Sequence, residues 1–181
     1  MVVAVVRAAG HQMSGPNAHP QAGQQSYRTP KPFLDAVLRR LGWDKFDIDL
    51  ACAQADCVAE LGIYHDLGLN ALQLEWPEDA RCWLNPPFGL SKAFARKCAE
   101  SSASVAMLVP ASVGSAWFAE YVDGKADVIF LRPRIVFLEP DGQPCPTGIN
   151  RDCMLAVYPK GIALDVCDER GPYRCEDWRK W

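Results

Sequence analysis

The stretch Trp83-Leu84-Asn85-Pro86-Pro87-Phe88-Gly89 sets a side-chain amide before two consecutive prolines, an aromatic ring and a glycine. Proline fixes φ, carries no N–H and keeps the residue before it out of the helical region, so Asn85-Pro86-Pro87 has to run extended and stiff. The carbonyls of Asn85 and Pro86 are then free of helical bonding, and the Asn85 side chain adds an oxygen that can accept beside one of them. Two acceptors next to the Phe88 ring suit a flat group bearing an NH2: the ring covers its face while the oxygens take its hydrogens. A proline-kinked exit from a strand is the plainer alternative, and the surrounding elements have to decide between the two.

Such a platform needs a strand to deliver it, and the apolar run Cys82-Trp83-Leu84 predicts one over 81–84 that enters the motif. Upstream, Phe46, Ile48 and Leu50 alternate with Asp47 and Asp49, which predicts a short strand with carboxylates on its second face. Paired acids fit the carboxyl end of a strand in an open α/β sheet, where ligands bind, and the small Ala51-Cys52-Ala53 lets a ligand approach the backbone. The segment lacks a glycine-rich phosphate loop, which argues against a dinucleotide or triphosphate. Earlier still, Thr29 reads as an N-cap and Pro30 as a first helical residue. Phe33, Leu34, Val37, Leu38 and Leu41 then recur at helical spacing up to Gly42. On this evidence capping alone accounts for Thr29-Pro30. Residues 54–60 read as a short helix and 63–64 as a brief strand. Asn70 reads as a turn residue or as a donor–acceptor pair for a base edge, and His65 as a loop histidine.

The second half continues in α/β order. Ser91 predicts a helix through Glu100, residues 104–109 a buried strand, and 114–122 a helix with Trp117 and Phe118 on its apolar side. Residues 128–131, 135–138 and 153–158 read as strands, with a turn-rich loop over 139–152. Alternating helices and strands imply a mostly parallel central sheet flanked by helices. With 181 residues, 49% of them hydrophobic, one domain can bury a core of its own. We assign it to 27–165, with 1–26 as a leader too poor in large apolar residues to order itself and 166–181 as a polar tail without assigned structure.

The formal charge of −3 argues against bulk electrostatic capture of nucleic acid, yet it leaves room for a local basic face. Arg132, Arg134, Arg151 and Lys92 are the candidates for phosphate contacts, with a solvated edge as the alternative for the first two. The eight cysteines form no CxxC pair, so no metal site is expected, and His11 and His19 have no third ligand near them. Several cysteines lie in apolar segments as small hydrophobes, which points to reduced thiols in the cytoplasm. Residues 1–6 are too short to span a bilayer and carry their nearest positive charge, Arg7, on the wrong side for a signal peptide; no membrane anchor is expected.

Taken in order, these segments resemble the small phage-type DNA N6-adenine methyltransferases, of the Rossmann-like class that uses S-adenosyl-L-methionine. The resemblance runs from Tyr27 to Tyr158. It rests on Thr29-Pro30, on Phe46 through Ala51, on Asn70-Ala71-Leu72 to Trp76, and on Trp83 through Phe88. Leu108 through Ser112 with Trp117-Phe118, and Arg132 through Phe137, complete it. It implies that Asn85, Pro86, Pro87 and Phe88 form the catalytic tetrapeptide, and that Asp49, Ala51, Asn70 and Leu72 line the cofactor pocket, with Thr29-Pro30 touching the cofactor from the first helix. It also implies DNA as the partner, with the target adenine flipped out of the duplex, and a phage-encoded enzyme acting in the bacterial cytoplasm; the oligomeric state stays open. The chain departs from the family pattern at Asn70, where Asp is usual, at Cys52, where Ala is usual, and at Phe88, where tyrosine is commoner. The same tetrapeptide chemistry suits N4 of cytosine or a glutamine amide, and a catalytically silent binding module is a further alternative.

Overall fold

The computed structural model describes residues 27–53, 55–145, 151–160 and 171–181; the leader with His11 and His19 lies outside the described residues. In chain order the main elements are α1 (Lys31–Leu41), β1 (Ile48–Cys52), β2 (Leu61–Tyr64), β3 (Arg81–Leu84), α2 (Ser91–Glu100), β4 (Ser104–Pro110), α3 (Ala116–Tyr121), β5 (Asp127–Arg132), β6 (Cys153–Tyr158) and β7 (Tyr173–Asp177). The strands form one sheet in the order β2-β1-β3-β4-β6-β5-β7. β1 pairs parallel with β2 and β3, β3 with β4, and β5 with β7, whereas β6 runs antiparallel to both β4 and β5. The sheet is therefore mostly parallel, as expected, but mixed, because β6 runs against its neighbours. No helix interrupts the described part of the β5–β6 connection, so the chain comes back beside β5 as a hairpin would instead of crossing over.

Alternation along the central strands builds two cores. Leu84 of β3, Met107 and Val109 of β4, and Met154 and Ala156 of β6 face Phe94, Ala95 and Cys98 of α2 and Phe118 of α3. Their neighbours Trp83, Ala106, Leu108, Leu155 and Val157 face Phe33, Leu34 and Val37 of α1. A strand buried on both faces reads as a continuous apolar run, which is why 104–109 and 153–158 were legible in sequence.

Several local expectations change. Thr29 does not cap α1: the N-cap is Pro30, with no side-chain cap bond, and its carbonyl receives the N–H groups of Phe33 and Leu34. The helix stops at Gly42 in the left-handed region (φ 65°), where glycine carries no Cβ penalty. Residues 55–60 are not helical, because carboxylates capture the backbone donors a helix would need: Asp56 accepts from the Ala53 N–H at 2.7 Å and Asp49 from the Val58 N–H at 3.2 Å. Residues 135–138 are no strand either. Leu138 makes isolated bridges to Arg28 and Pro144, since Pro133 withholds a ladder donor just after β5.

The segment with no assigned structure supplies β7 and a cover for α1. Trp178 and Trp181 stack against Phe33 with centroids 5.3 and 6.3 Å away. Arg40 grips Glu176 through two bonds of 2.9 and 3.0 Å, and the Trp181 indole donates to the same carboxylate at 2.7 Å. Among the described residues no helix is long and apolar enough to cross a membrane. Phe33 is fully buried where α1, Trp83 and both tryptophans meet, so Phe33→Ala should cost about 3–5 kcal/mol in a urea titration followed by tryptophan fluorescence.

Candidate functional site

The register places every candidate segment at one edge of the sheet. β1, β3 and β4 are parallel, so Ala51, Asn85 and Ala111 all leave the sheet at the same side. β6 is antiparallel and starts there, which brings Arg151 and Asp152 beside the end of β5 and Arg132. From β1 the chain moves outward to β2 and then returns to β3 on the other flank. The crevice beyond β1 and β3 is thus the point where strand order reverses, the usual ligand position in open α/β sheets.

A cavity of about 470 Å³, its open mouth included, lies at this place. Tyr27, Arg28 and Thr29 line it ahead of α1, Asp49, Ala51 and Cys52 from β1, Asp56 and Val58 from the following loop, His65 beyond β2, and Trp83, Asn85 and Pro87 from β3 and its exit.

The Asn85 amide is held across this cavity. Its Nδ2 donates to Thr29 Oγ1 at 3.2 Å, a bond between residues 56 apart in sequence. With the NH2 end so engaged, Oδ1 remains as an acceptor. Pro86 is buried, and Pro87 opens a short 3-10 turn, Phe88–Leu90. The Pro87 carbonyl accepts from the Leu90 N–H at 2.7 Å and that of Phe88 from Ser91 Oγ at 2.8 Å. Those of Asn85 and Pro86 carry no hydrogen bond among the described residues. Pro87 itself is extended, with φ −51° and ψ 126°, and the 3-10 turn after it leads into α2.

The two acids of the β1 segment part company. Asp47 precedes the strand and pairs with Arg81 at 3.0 and 3.1 Å; burial raises its pKa, but the guanidinium and the Arg81 N–H outweigh this and hold it below the usual range. Asp49, by contrast, is only 3% exposed and points to the cavity. Its two oxygens accept from the N–H groups of Ala51 (3.3 Å) and Val58 (3.2 Å). Burial pushes the carboxyl up to about 7; the two N–H groups counter this, and the nearby charge of Asp56 adds to it. A cationic or donor-rich ligand would find an acid here without a countercharge.

The structure therefore brings together Thr29, Asp49, Ala51, Asn85 and Pro87. Phe88 sits half-buried against the α1-side core. Asn70 and Leu72 stand apart on the α2 side: Asn70 Oδ1 accepts from the Leu72 N–H at 3.0 Å and caps a 3-10 turn, and Lys97 donates to the Leu72 carbonyl at 3.1 Å. Lys92 is exposed in the first turn of α2. Arg132, Arg134 and Arg151 are exposed at the cavity edge of the sheet, with Arg134 bonded to Asp152 at 2.7 Å. Sequence reasoning passed over Asp56 and Val58 and gave Trp83 and His65 no place in a cavity. Nothing in their spacing marks them, since the loop after β1 has to fold back before two of them reach the cavity.

Residues 17–165 match the family model described as DNA N-6-adenine-methyltransferase (Dam). A curated protein of Escherichia phage T1, named DNA N-6-adenine-methyltransferase, is 29% identical over 125 residues, which is 67% of this chain and 50% of that protein. The chain thus spans about half the length of this relative. No solved structure matches significantly.

The Asp49 shift has a sign that can be measured. Folding raises this carboxyl from the ordinary carboxylate range to about 7, so between about pH 4 and about 7 the folded state binds more protons than the unfolded chain. Its contribution to stability falls as pH rises through that window. Asp49→Asn should flatten this part of the profile relative to the native chain, measured as urea midpoints from pH 5 to 8.

Proposed function

Because the chain belongs to the DNA N-6-adenine-methyltransferase (Dam) family, we propose that it transfers a methyl group from S-adenosyl-L-methionine to the exocyclic N6 of an adenine in DNA. The observation that carries this reading is the Asn85 amide with its Nδ2 engaged by Thr29 and its oxygen left to accept, followed in the chain by a Pro86 carbonyl with no hydrogen bond among the described residues.

The residues around the cavity fit the cofactor. A buried acid whose bonded partners are backbone N–H groups suits a small cationic ligand, and Asp49 lines the same cavity as Thr29 and Asn85. Asp49 and Ala51 would hold S-adenosyl-L-methionine from β1 and Thr29-Pro30 from the start of α1. Asn70 and Leu72 would act from the α2 side as a second tier behind the lining. When bound, the cofactor supplies an electrophilic methyl group on a sulfonium. The strand order, reversing between β1 and β3, supports a Rossmann-like arrangement for this purpose.

Adenine N6 is a weak nucleophile because its lone pair is conjugated with the ring. Asn85 Oδ1 would accept one of its hydrogens and the Pro86 carbonyl the other, favouring a pyramidal nitrogen and stabilising its positive charge as the bond to the methyl carbon forms, the methyl–sulfur bond breaks to leave a neutral thioether, and one N6 proton then passes to solvent. Fixed polar contacts of this kind contribute about 10²–10³ in rate. The base has to leave the duplex at a cost of a few kcal/mol, and stacking on Phe88, worth about 1–3 kcal/mol, offsets much of it. Arg132, Arg134 and Arg151 stand where they can take phosphates on the same side of the sheet, with Lys92 beside the tetrapeptide. The exposed pair between Arg134 and Asp152 is worth about 1 kcal/mol at most, so a phosphate can replace that carboxylate. A phage-encoded modification enzyme working in the host cytoplasm is the setting these relationships favour.

Incubating the protein with labelled S-adenosyl-L-methionine and duplex DNA, then analysing the nucleosides by mass spectrometry, should yield N6-methyladenine. Asn85→Ala should lower turnover by at least about 10²-fold with cofactor affinity nearly unchanged. N4-methylcytosine as the product, or an active Asn85→Ala protein, would overturn the assignment.

A further inference from the structure

Cys52 and Cys57 take no part in the proposed transfer, yet their sulfurs converge on the Asp49 carboxylate, so an ion held there and S-adenosyl-L-methionine would use that carboxylate in turn. One Asp49 oxygen and the two Sγ atoms all lie within 4.8 Å of one another. The fold explains the convergence. Cys52 ends β1 with its Sγ 3.8 Å from the Asp49 carbonyl. The next loop is drawn back over the strand by the bonds of Ala53 to Asp56 and Val58 to Asp49, and Cys57 lies between these two anchors. On the neighbouring strand Gly62, in register with Asp49, leaves the space these groups need: a Cβ there would stand 2.7 Å from Cys52 Sγ and 2.5 Å from the Tyr64 ring.

We propose that Asp49, Cys52 and Cys57 form a binding site for one thiophilic divalent cation of the zinc or cadmium class, its remaining coordination positions facing the cavity. Two sulfurs and one carboxylate make the mixed donor set that zinc accepts, and three protein ligands with an open position is a common arrangement for that ion. Cys52 is buried while Cys57 is half-buried on a loop, so one ligand is fixed and the other can adjust to the ion. Binding displaces one proton from each thiol to solvent and leaves both sulfurs as thiolates on the metal. The cation also supplies the countercharge that Asp49 lacks among its bonded partners, which are backbone N–H groups. The absence of a CxxC pair does not count against such a site, because its ligands come from a strand end and from the loop folded over it. The site stands on this geometry alone and does not rest on the proposed methyl transfer.

The test is a titration of the full chain, kept reduced, with cadmium ion, followed by calorimetry and by the ultraviolet thiolate-to-cadmium charge-transfer band. One saturable equivalent is expected, with affinity weakened at least about tenfold in Cys52→Ala and in Cys57→Ser and unchanged in Cys175→Ser, whose thiol is exposed on β7. Zinc ion should raise the Tm of the native chain and not that of Cys57→Ser, whose own Tm without metal reports that it is folded. Asn85→Ala, which touches none of the three ligands, should bind cadmium as the native chain does, so loss of transfer and loss of the metal site are separable. Absence of a saturable equivalent, native-like affinity in both cysteine variants, or loss of binding in Cys175→Ser would overturn the proposal.

Discussion

The side-chain amide of Asn85 can be turned two ways about its last torsion, and in the structure its Nδ2 donates to the Thr29 hydroxyl at 3.2 Å, which leaves Oδ1 as the free acceptor. In the opposite orientation the NH2 end, a donor, would take the place of the oxygen where the chemistry needs an acceptor. The prolines on either side of the problem do complementary work. Pro86 and Pro87 stop the backbone from relaxing, and Pro30 begins α1 immediately after the threonine, so neither partner of the bond can drift far without moving an element.

That bond is only as firm as the docking of α1. The helix lies on the face of the sheet formed by Trp83, Ala106, Leu108, Leu155 and Val157, and Trp83 is the residue two before Asn85 on the same strand. The C-terminal tryptophans close the other side of Phe33, and Trp178 also donates from its indole to the Pro133 carbonyl at 2.9 Å, between Arg132 and Arg134. One aromatic cluster thus supports both the threonine that orients the acceptor and the turn that carries two of the basic residues. Asp49 shows the opposite tendency. It holds the β1 loop in place through two backbone N–H groups, but burial makes its charge costly until something cationic arrives.

The tetrapeptide was legible because its stiffness is covalent: two prolines impose an extended exit whatever surrounds them. The two-sided central strands were legible because continuous burial demands continuous apolar residues. What escaped was set by contacts between distant segments. Thr29 looks like an N-cap in sequence, and its partner lies on another strand. Residues 54–60 have helix-compatible composition, yet two carboxylates take the backbone donors first. Asp47 and Asp49 look equivalent by alternation and differ because Arg81 reaches one and not the other. Strand β7 is polar enough to read as a tail, since an edge strand hides little of its surface, and the antiparallel insertion of β6 has no local signature at all.

The claim that Thr29 acts by orienting the amide can be separated from a merely structural role by changing the symmetry of its partner. An aspartate has two equivalent oxygens and needs no orientation. The decisive measurement is kcat for Thr29→Val in the native background and in the Asn85→Asp background. The expected result is a cost of about fivefold where the amide is present, in keeping with one hydrogen bond of about 1 kcal/mol, and little or none where the carboxylate replaces it. An equal cost in both backgrounds would show that Thr29 merely supports the fold and would contradict the account.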